Sequence, residues 1–107
     1  MNLKEQERKV EEGLEMLIPK QLVGFEYIKM GVSLAMQSTK IELEKKIYPE
    51  IAREYGLSEQ YVKSSFTSTI EAGLDKNPEN FEEFFGTAGC NTPAKFIKAF
   101  AKKMNAK

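Results

Sequence analysis

Residues 48–70 constrain the fold of this chain more than any other stretch, because they set two helical patterns on either side of one glycine. Before the glycine, three apolar side chains share one face of a predicted helix: Ile51, Ala52 and Tyr55. After it, apolar side chains recur at every fourth position, as in a buried helical stripe: Val62, Phe66 and Ile70. Gly56 readily takes the positive φ that ends many helices. The stretch therefore predicts two helices joined by a tight turn.

The residues around Gly56 fit a steep crossing of these helices over a turn of about three to four residues. Leu57 fills the elbow between the helices, and Ser58 is a favourable N-cap for the second one. Helices that cross steeply need a small residue where they approach, and Ala52 provides it. The pattern predicts a helix-turn-helix, although an ordinary helical hairpin without a binding role fits the same residues.

The face of the second helix opposite its apolar stripe carries short or flexible hydrogen-bonding side chains. Such a face can lie in the major groove of DNA and contact the edges of the bases. The candidate DNA-binding residues are Ser58, Gln60, Lys63, Ser64, Thr67 and Ser68. We expect Ser58 and the helix N-terminus to hold a phosphate, since exposed N–H groups and the helix dipole favour an anion there. The other candidates are expected to face the groove, with Ser68 at its edge.

Composition narrows the classes of function that are open to the chain. Sixteen basic and sixteen acidic residues cancel, so no overall charge indicates nucleic acid, although five lysines and no acid follow Thr92. Histidine is absent and Cys90 is the only cysteine, so we predict no catalytic residue, no metal or cofactor site and no disulfide. No apolar run approaches the roughly 20 residues of a membrane span. These features predict a cytoplasmic protein that is not an enzyme, does not bind a membrane and has no small-molecule substrate.

The remaining periodicity predicts only helices. They cover residues 3–17, 21–37, 40–55, the second helix of the turn motif, a segment that starts at Pro78, and residues 93–104. Pro49 predicts a kink or break near Ile47, and residues 75–78 predict a loop. The expected fold is all-α, with about six helices in one compact bundle. We expect a single domain over residues 1–107, of which residues 1–16 form a helix that protrudes or frays.

Two further features bear on packing. Gly24 and Gly31 are unfavourable inside a helix, so we expect them to permit the close approach of a neighbouring backbone. Phe81, Phe84 and Phe85 form an apolar face that a short helix does not usually leave in water. This face is either core or a contact surface between protomers, and core packing is the favoured interpretation.

Three segments of the chain resemble one family: IPKQLVGFEYIKMGVSLAM, KKIYPEIAREYGLSEQYVKSSFTSTIE, and the later FFG before a terminal helix. The most specific parts are residues 24–27 and 47–52, with Val62 and the pair Ile70-Glu71 adding to them. Over residues 17–104 the chain resembles the C-terminal DNA-binding domain of the sporulation master response regulator of endospore-forming Firmicutes. The resemblance implies a six-helix bundle that binds a short promoter box, often as tandem protomers, and switches transcription. A homodimer is expected instead if the phenylalanine face is a contact surface.

Two departures from the family limit what the resemblance implies. The family's domain normally follows a phosphoaspartate receiver, for which 107 residues leave no room, so a stand-alone regulator is expected. The family's recognition helix contacts bases through a Glu-Arg pair and a second Arg, at positions held here by Lys63, Ser64 and Thr67. Arginine can grip guanine with two hydrogen bonds, and serine and threonine cannot.

Two functions remain open from the sequence. The first is a sequence-specific double-stranded DNA-binding transcriptional regulator whose target differs from the family's promoter box. The alternative is a protein–protein interaction module that keeps the helix-turn-helix scaffold without specific DNA binding. It would bind its partner through the phenylalanine face or the N-terminal helix.

Overall fold

The structure, a computed structural model, describes residues 3–37, 40–86 and 92–105. These residues form six α-helices and one π-helical turn and contain no β-strand, which confirms the all-α prediction. The helices are α1 (Leu3–Leu17), α2 (Val23–Met36), α3 (Tyr48–Tyr55), α4 (Glu59–Lys76), α5 (Pro78–Phe85) and α6 (Pro93–Asn105), and the π-turn is Leu43–Ile47. Ser38 and Thr39, either of which could cap the helix predicted from residue 40, lie outside the described ranges, and so does Cys90.

The predicted break near Ile47 is a change of helix type. The π-turn ends at Ile47 and α3 begins at Tyr48, with Pro49 in its first turn. Proline has no N–H to donate and is tolerated in the first turn of a helix, so a new α-helix with regular hydrogen bonds begins there. The backbone amides of Lys46 and Ile47 both donate to the Glu42 carbonyl, each at 3.1 Å. This irregular turn thus leads directly into the first helix of the helix-turn-helix.

The predicted loop at residues 75–78 is wrong, because only Asn77 separates α4 from α5. The Asn77 side-chain amide donates to the Leu17 carbonyl at 3.3 Å, and the Asn80 amide donates to the Met16 carbonyl at 2.7 Å. These bonds satisfy carbonyls at the C-terminal end of α1, which have no partner within that helix. A proline at the first position of α5 needs no partner for its nitrogen, so one residue is enough for the connection.

The N-terminal helix packs on the bundle through its second half. Its buried apolar residues are Val10, Leu14 and Leu17. The side chains of residues 4–9 are mostly exposed, so burial of this helix begins at Val10.

Core packing accounts for the phenylalanine face of α5. Phe81 is buried, and Phe84 and Phe85 are partly buried against the core. The Phe84 ring stacks on Phe100 of α6 with ring centroids 5.1 Å apart, and the Phe85 ring lies 5.3 Å from that of Phe96. The favoured interpretation of this face is therefore confirmed: it joins α5 to α6.

The central helix α2 packs against α1, α4 and α6, and its glycines allow the closest of these approaches. A Cβ atom added at Gly24 would lie 1.9 Å from Thr69 Oγ1 and 3.1 Å from the Ser65 carbonyl oxygen. A Cβ atom at Gly31 would lie 2.9 Å from the Phe66 ring. The expected approach of a neighbouring backbone is confirmed at Gly24, although the nearest atom there belongs to the Thr69 side chain. At Gly31 the expectation of a backbone neighbour is wrong, because the close neighbour is the Phe66 ring.

Replacing Gly24 with alanine should therefore destabilise the protein, by about 1–3 kcal/mol, as overpacking of a tight contact usually does. In an open helical position the same change would stabilise by up to about 1 kcal/mol, so the sign of the effect is diagnostic. Chemical denaturation of the variant measures it. Adding Thr69→Ala removes the nearest atom, and the double variant should recover part of the loss. A Gly24→Ala protein more stable than the native chain would contradict the contact.

Candidate nucleic-acid interface

The turn between α3 and α4 is closed by its own hydrogen bonds. Gly56 adopts φ 67° and ψ 41°, and the Leu57 amide donates to the Ala52 carbonyl at 2.8 Å. Ser58 Oγ accepts a hydrogen bond from the Tyr61 amide at 3.1 Å. These contacts confirm Gly56 as the residue with positive φ and Ser58 as the N-cap. The turn satisfies the Ala52 carbonyl at the end of α3 and the Tyr61 amide at the start of α4, and it sets the direction in which α4 leaves.

The inner face of the helix pair is buried as predicted, with one exception. Four residues of this face are fully buried: Ile51, Val62, Phe66 and Ile70. Tyr55 was predicted to join them, but 43% of it is exposed. Its ring stands edge-on to Tyr27 of α2 at 5.0 Å, and Tyr61 lies against the same ring at 6.4 Å. A tyrosine buries its ring and keeps its hydroxyl in water, which explains the half-exposed position.

All six candidate DNA-binding residues are exposed: Ser58, Gln60, Lys63, Ser64, Thr67 and Ser68. Two of their hydroxyls bond to their own helix. Thr67 Oγ1 donates to the Lys63 carbonyl at 3.2 Å, and Ser68 Oγ donates to the Ser64 carbonyl at 2.7 Å. With the hydrogens directed inward, each oxygen presents lone pairs to the outside. Such an oxygen can accept from the amino group of adenine or cytosine in a major groove.

Lys63 is held at one side of this face by an acidic residue that sequence reasoning missed. Its Nζ lies 2.8 Å from Glu44 Oε1 on the π-turn. The hydrogen bond and the positive charge of Lys63 lower the pKa of the Glu44 carboxyl. The two residues are 19 positions apart, and only the π-turn brings them together, so neither spacing nor composition indicates the pair.

The outer face of α4 changes character along its length. The N-cap and the first ten residues of α4 carry the six candidates together with Tyr61, which is 49% exposed and which sequence reasoning also missed. One exposed acid, Glu59, lies in the same stretch. The C-terminal half of α4 carries two exposed acids, Glu71 and Asp75. Negative charges repel the DNA backbone, and recognition helices usually contact bases through their N-terminal residues. The N-terminal half is thus the part suited to a nucleic acid.

Metal-binding clusters and membrane-spanning helices are both absent from the part of the chain that the structure describes. No group of three or more His, Cys, Asp and Glu side chains there is placed to hold a metal ion. None of the helices described is both long and apolar enough to cross a bilayer.

Comparison with known proteins identifies the family. No solved structure matches the chain. The family model described as "Sporulation initiation factor Spo0A C terminal" matches residues 11–104, from within α1 to the last turn of α6. The match spans the helix-turn-helix together with the helices that support it. The chain therefore belongs to the family of the C-terminal domain of the sporulation initiation factor Spo0A, a DNA-binding domain of sporulation regulators.

Proposed function

We propose that this chain regulates transcription by binding double-stranded DNA sequence-specifically, and that α4 is its recognition helix. The observation that carries the proposal is the outer face of α4. Six hydrogen-bonding residues are exposed there, namely the N-cap Ser58 and five residues of the helix that follows it. Helix-turn-helix proteins insert a helix of this kind into the major groove. Membership of a DNA-binding family supports that use of the face.

Each of the six residues has a proposed role set by its place on the helix. Ser58 and the free N–H groups of the first turn bind a phosphate. Gln60 pairs with adenine, for which a side-chain amide is well suited. Thr67 accepts from a base amino group, and Ser64 contacts a base edge with a hydroxyl that can donate or accept. Lys63, drawn to one side by Glu44, contacts the backbone rather than a base. Ser68 contacts the edge of the groove.

This set of residues implies a target other than the family's promoter box. The bidentate arginine contacts of the family give about 1–3 kcal/mol of discrimination for each guanine. Serine and threonine hydroxyls lack the planar fork with which arginine makes two bonds to one guanine. The Thr67 hydroxyl in addition donates its hydrogen to the Lys63 carbonyl, so it favours base amino groups. We therefore propose that the scaffold of the family is kept and that the base-contacting residues are changed.

In-vitro selection from random duplex DNA tests the proposal. An enriched motif containing adenine or cytosine at the positions facing α4 would support it. If no motif is enriched at low salt and no duplex is bound, the DNA function is wrong for this chain. A protein–protein interaction module on the same scaffold would then be the better account.

A single side chain should control one base position. Replacing Thr67 with valine keeps the shape and removes the acceptor oxygen, so preference at one position of the selected motif should fall by roughly 1 kcal/mol, the lower end for a base contact. Thr67→Ser keeps the acceptor and is the matched control, which should retain the preference. Binding of duplexes that vary at each position, measured by fluorescence anisotropy, distinguishes the two variants. Equal loss in both would contradict the acceptor role.

Protomers are proposed to bind in tandem on DNA, as the resemblance implies, or to pair as a homodimer there. The phenylalanine face is not the surface for this, since α6 covers it. Sedimentation of the protein with a selected duplex should show more than one protomer on a duplex that carries two motifs. One protomer on such a duplex, at high protein concentration, would rule out both arrangements.

A further inference from the structure

A cleft of about 550 Å³ lies directly beside α4, between the π-turn and the N-terminal end of α6. Two residues of the proposed recognition face, Lys63 and Thr67, form part of its wall. Tyr48 lines it from α3, and Lys98 lines it from α6. A helix in the major groove has a phosphate strand on each side. The cleft therefore lies where one of these strands would pass if α4 enters the groove.

The charges around the cleft suit an anion. Its lining holds three lysines, Lys45, Lys63 and Lys98, and two glutamates, Glu42 and Glu44. Within the described residues, Lys45 and Lys98 form no ion pair, whereas Lys63 is paired with Glu44. Burial, with the charge of Glu44 adding to it, raises the pKa of Tyr48 to about 12. A tyrosine phenol is neutral near pH 7 at its ordinary pKa, and the raised pKa keeps Tyr48 protonated at higher pH as well, with a hydrogen to donate.

Glu44 occupies the position that an incoming anion would take. Its carboxylate contacts Lys63 Nζ at 2.8 Å, although 73% of the Glu44 side chain and 51% of the Lys63 side chain are exposed. Ion pairs exposed to this degree contribute little to stability, so a phosphate can displace the carboxylate readily. The displaced carboxylate would then stand close to the phosphate and oppose its binding.

We propose that this cleft receives a backbone phosphate of bound duplex DNA, held by Lys63 and Lys98, and that Glu44 competes with that phosphate for Lys63. The inference rests on the proposed DNA-binding function. It assigns to α6 and the π-turn a direct part in binding, and it makes Glu44 a residue that lowers affinity for DNA without changing which bases are preferred.

Two charge-removing variants test the proposal, each with a matched control away from the cleft. Binding is measured by fluorescence anisotropy, on a random-sequence duplex and on a selected duplex, across a range of salt concentrations. Glu44→Gln should raise affinity about threefold or more on both duplexes, whereas Glu82→Gln on α5 should have a much smaller effect. Lys98→Ala should lower affinity on both and reduce the salt slope by about one unit, whereas Lys102→Ala on the same helix should not.

A double variant shows whether Glu44 acts through Lys63. The gain in DNA affinity from Glu44→Gln should shrink in a Lys63→Ala background, because the ammonium group for which Glu44 and the phosphate compete is then absent. Equal effects of Glu44→Gln and Glu82→Gln, or of Lys98→Ala and Lys102→Ala, would show only general electrostatics and overturn the proposal. If the cleft variants bind like the native protein while Thr67→Val still alters base preference, the cleft inference fails and the recognition helix stands. If the native protein binds no duplex at low salt, the proposed function fails first.

Discussion

Replacing Phe66 with alanine should remove a large part of the stability of the protein. The ring is fully buried, stands edge-on to Tyr48 at 5.2 Å, and packs against the backbone of α2 at Gly31. Removing a buried phenylalanine costs about 3–5 kcal/mol, and a small domain has only about 5–15 kcal/mol in total. Circular dichroism on heating should show a melting temperature lowered by many degrees, or no cooperative transition.

The residue next in sequence provides the control. Thr67 is exposed and makes its only described hydrogen bond to its own helix, so Thr67→Ala should change the free energy of unfolding by no more than about 0.5 kcal/mol. Phe66→Leu keeps most of the apolar volume and should fall between the two. An unchanged melting temperature for Phe66→Ala would mean that the inner face of α4 is wrongly assigned.

Introducing the family's base-contacting residues should give the protein a strong affinity for the family's promoter box. Ser64→Arg and Thr67→Arg together add two bidentate arginine contacts, each giving about 1–3 kcal/mol of discrimination for guanine, so the variant should prefer the box over a duplex without these guanines by at least about 30-fold. Lys63→Glu completes the family's set. Anisotropy with a duplex that carries the box measures the binding, and a duplex with both guanines replaced is the control.

The pair between Lys63 and Glu44 determines how this experiment has to be built. Lys63→Glu alone would place a second carboxylate beside Glu44, where the structure has an ion pair at 2.8 Å. The triple variant should therefore be compared with one that also carries Glu44→Lys, which restores opposite charges. The fourfold variant should bind the box at least as tightly as the triple one. If the native protein already binds the box as tightly as these variants, the argument from the missing arginines is wrong.

The helices and their buried faces could be predicted because they follow from the spacing of apolar side chains along the sequence. Val62, Phe66 and Ile70 repeat with the helical period, Gly56 ends α3, and Ser58 caps α4, as local rules require. The exposed candidates on α4 follow from the same period, because a helix with one buried side presents the other to solvent.

The features that could not be predicted depend on distant parts of the chain. The last carbonyls of α1 accept hydrogen bonds from Asn77 and Asn80, which lie 60 and 64 positions from their partners. These bonds hold the start of α5 against α1, so residues 75–78 contain only a one-residue connection between helices where their composition indicates a loop. Tyr55 was predicted buried because it falls on the apolar face, but its hydroxyl end and the neighbouring Tyr27 hold it at the surface. Glu44 reaches Lys63 only through the π-turn. No local pattern in the sequence indicates these contacts.

The tight packing of α4 against the bundle has a consequence for how the residues on its outer face can change. A Cβ atom at Gly73 would lie 2.5 Å from the Leu17 carbonyl, and Gly24 and Gly31 meet Thr69 and Phe66 just as closely. Every one of these contacts is on the side of α4 that faces the bundle, and none involves a candidate DNA-binding residue. Substitutions on the outer face can therefore accumulate while the helix stays in register with its neighbours. If the outer face of α4 contacts DNA as proposed, a few such steps can change the DNA target without passing through an unfolded or loosely packed protein.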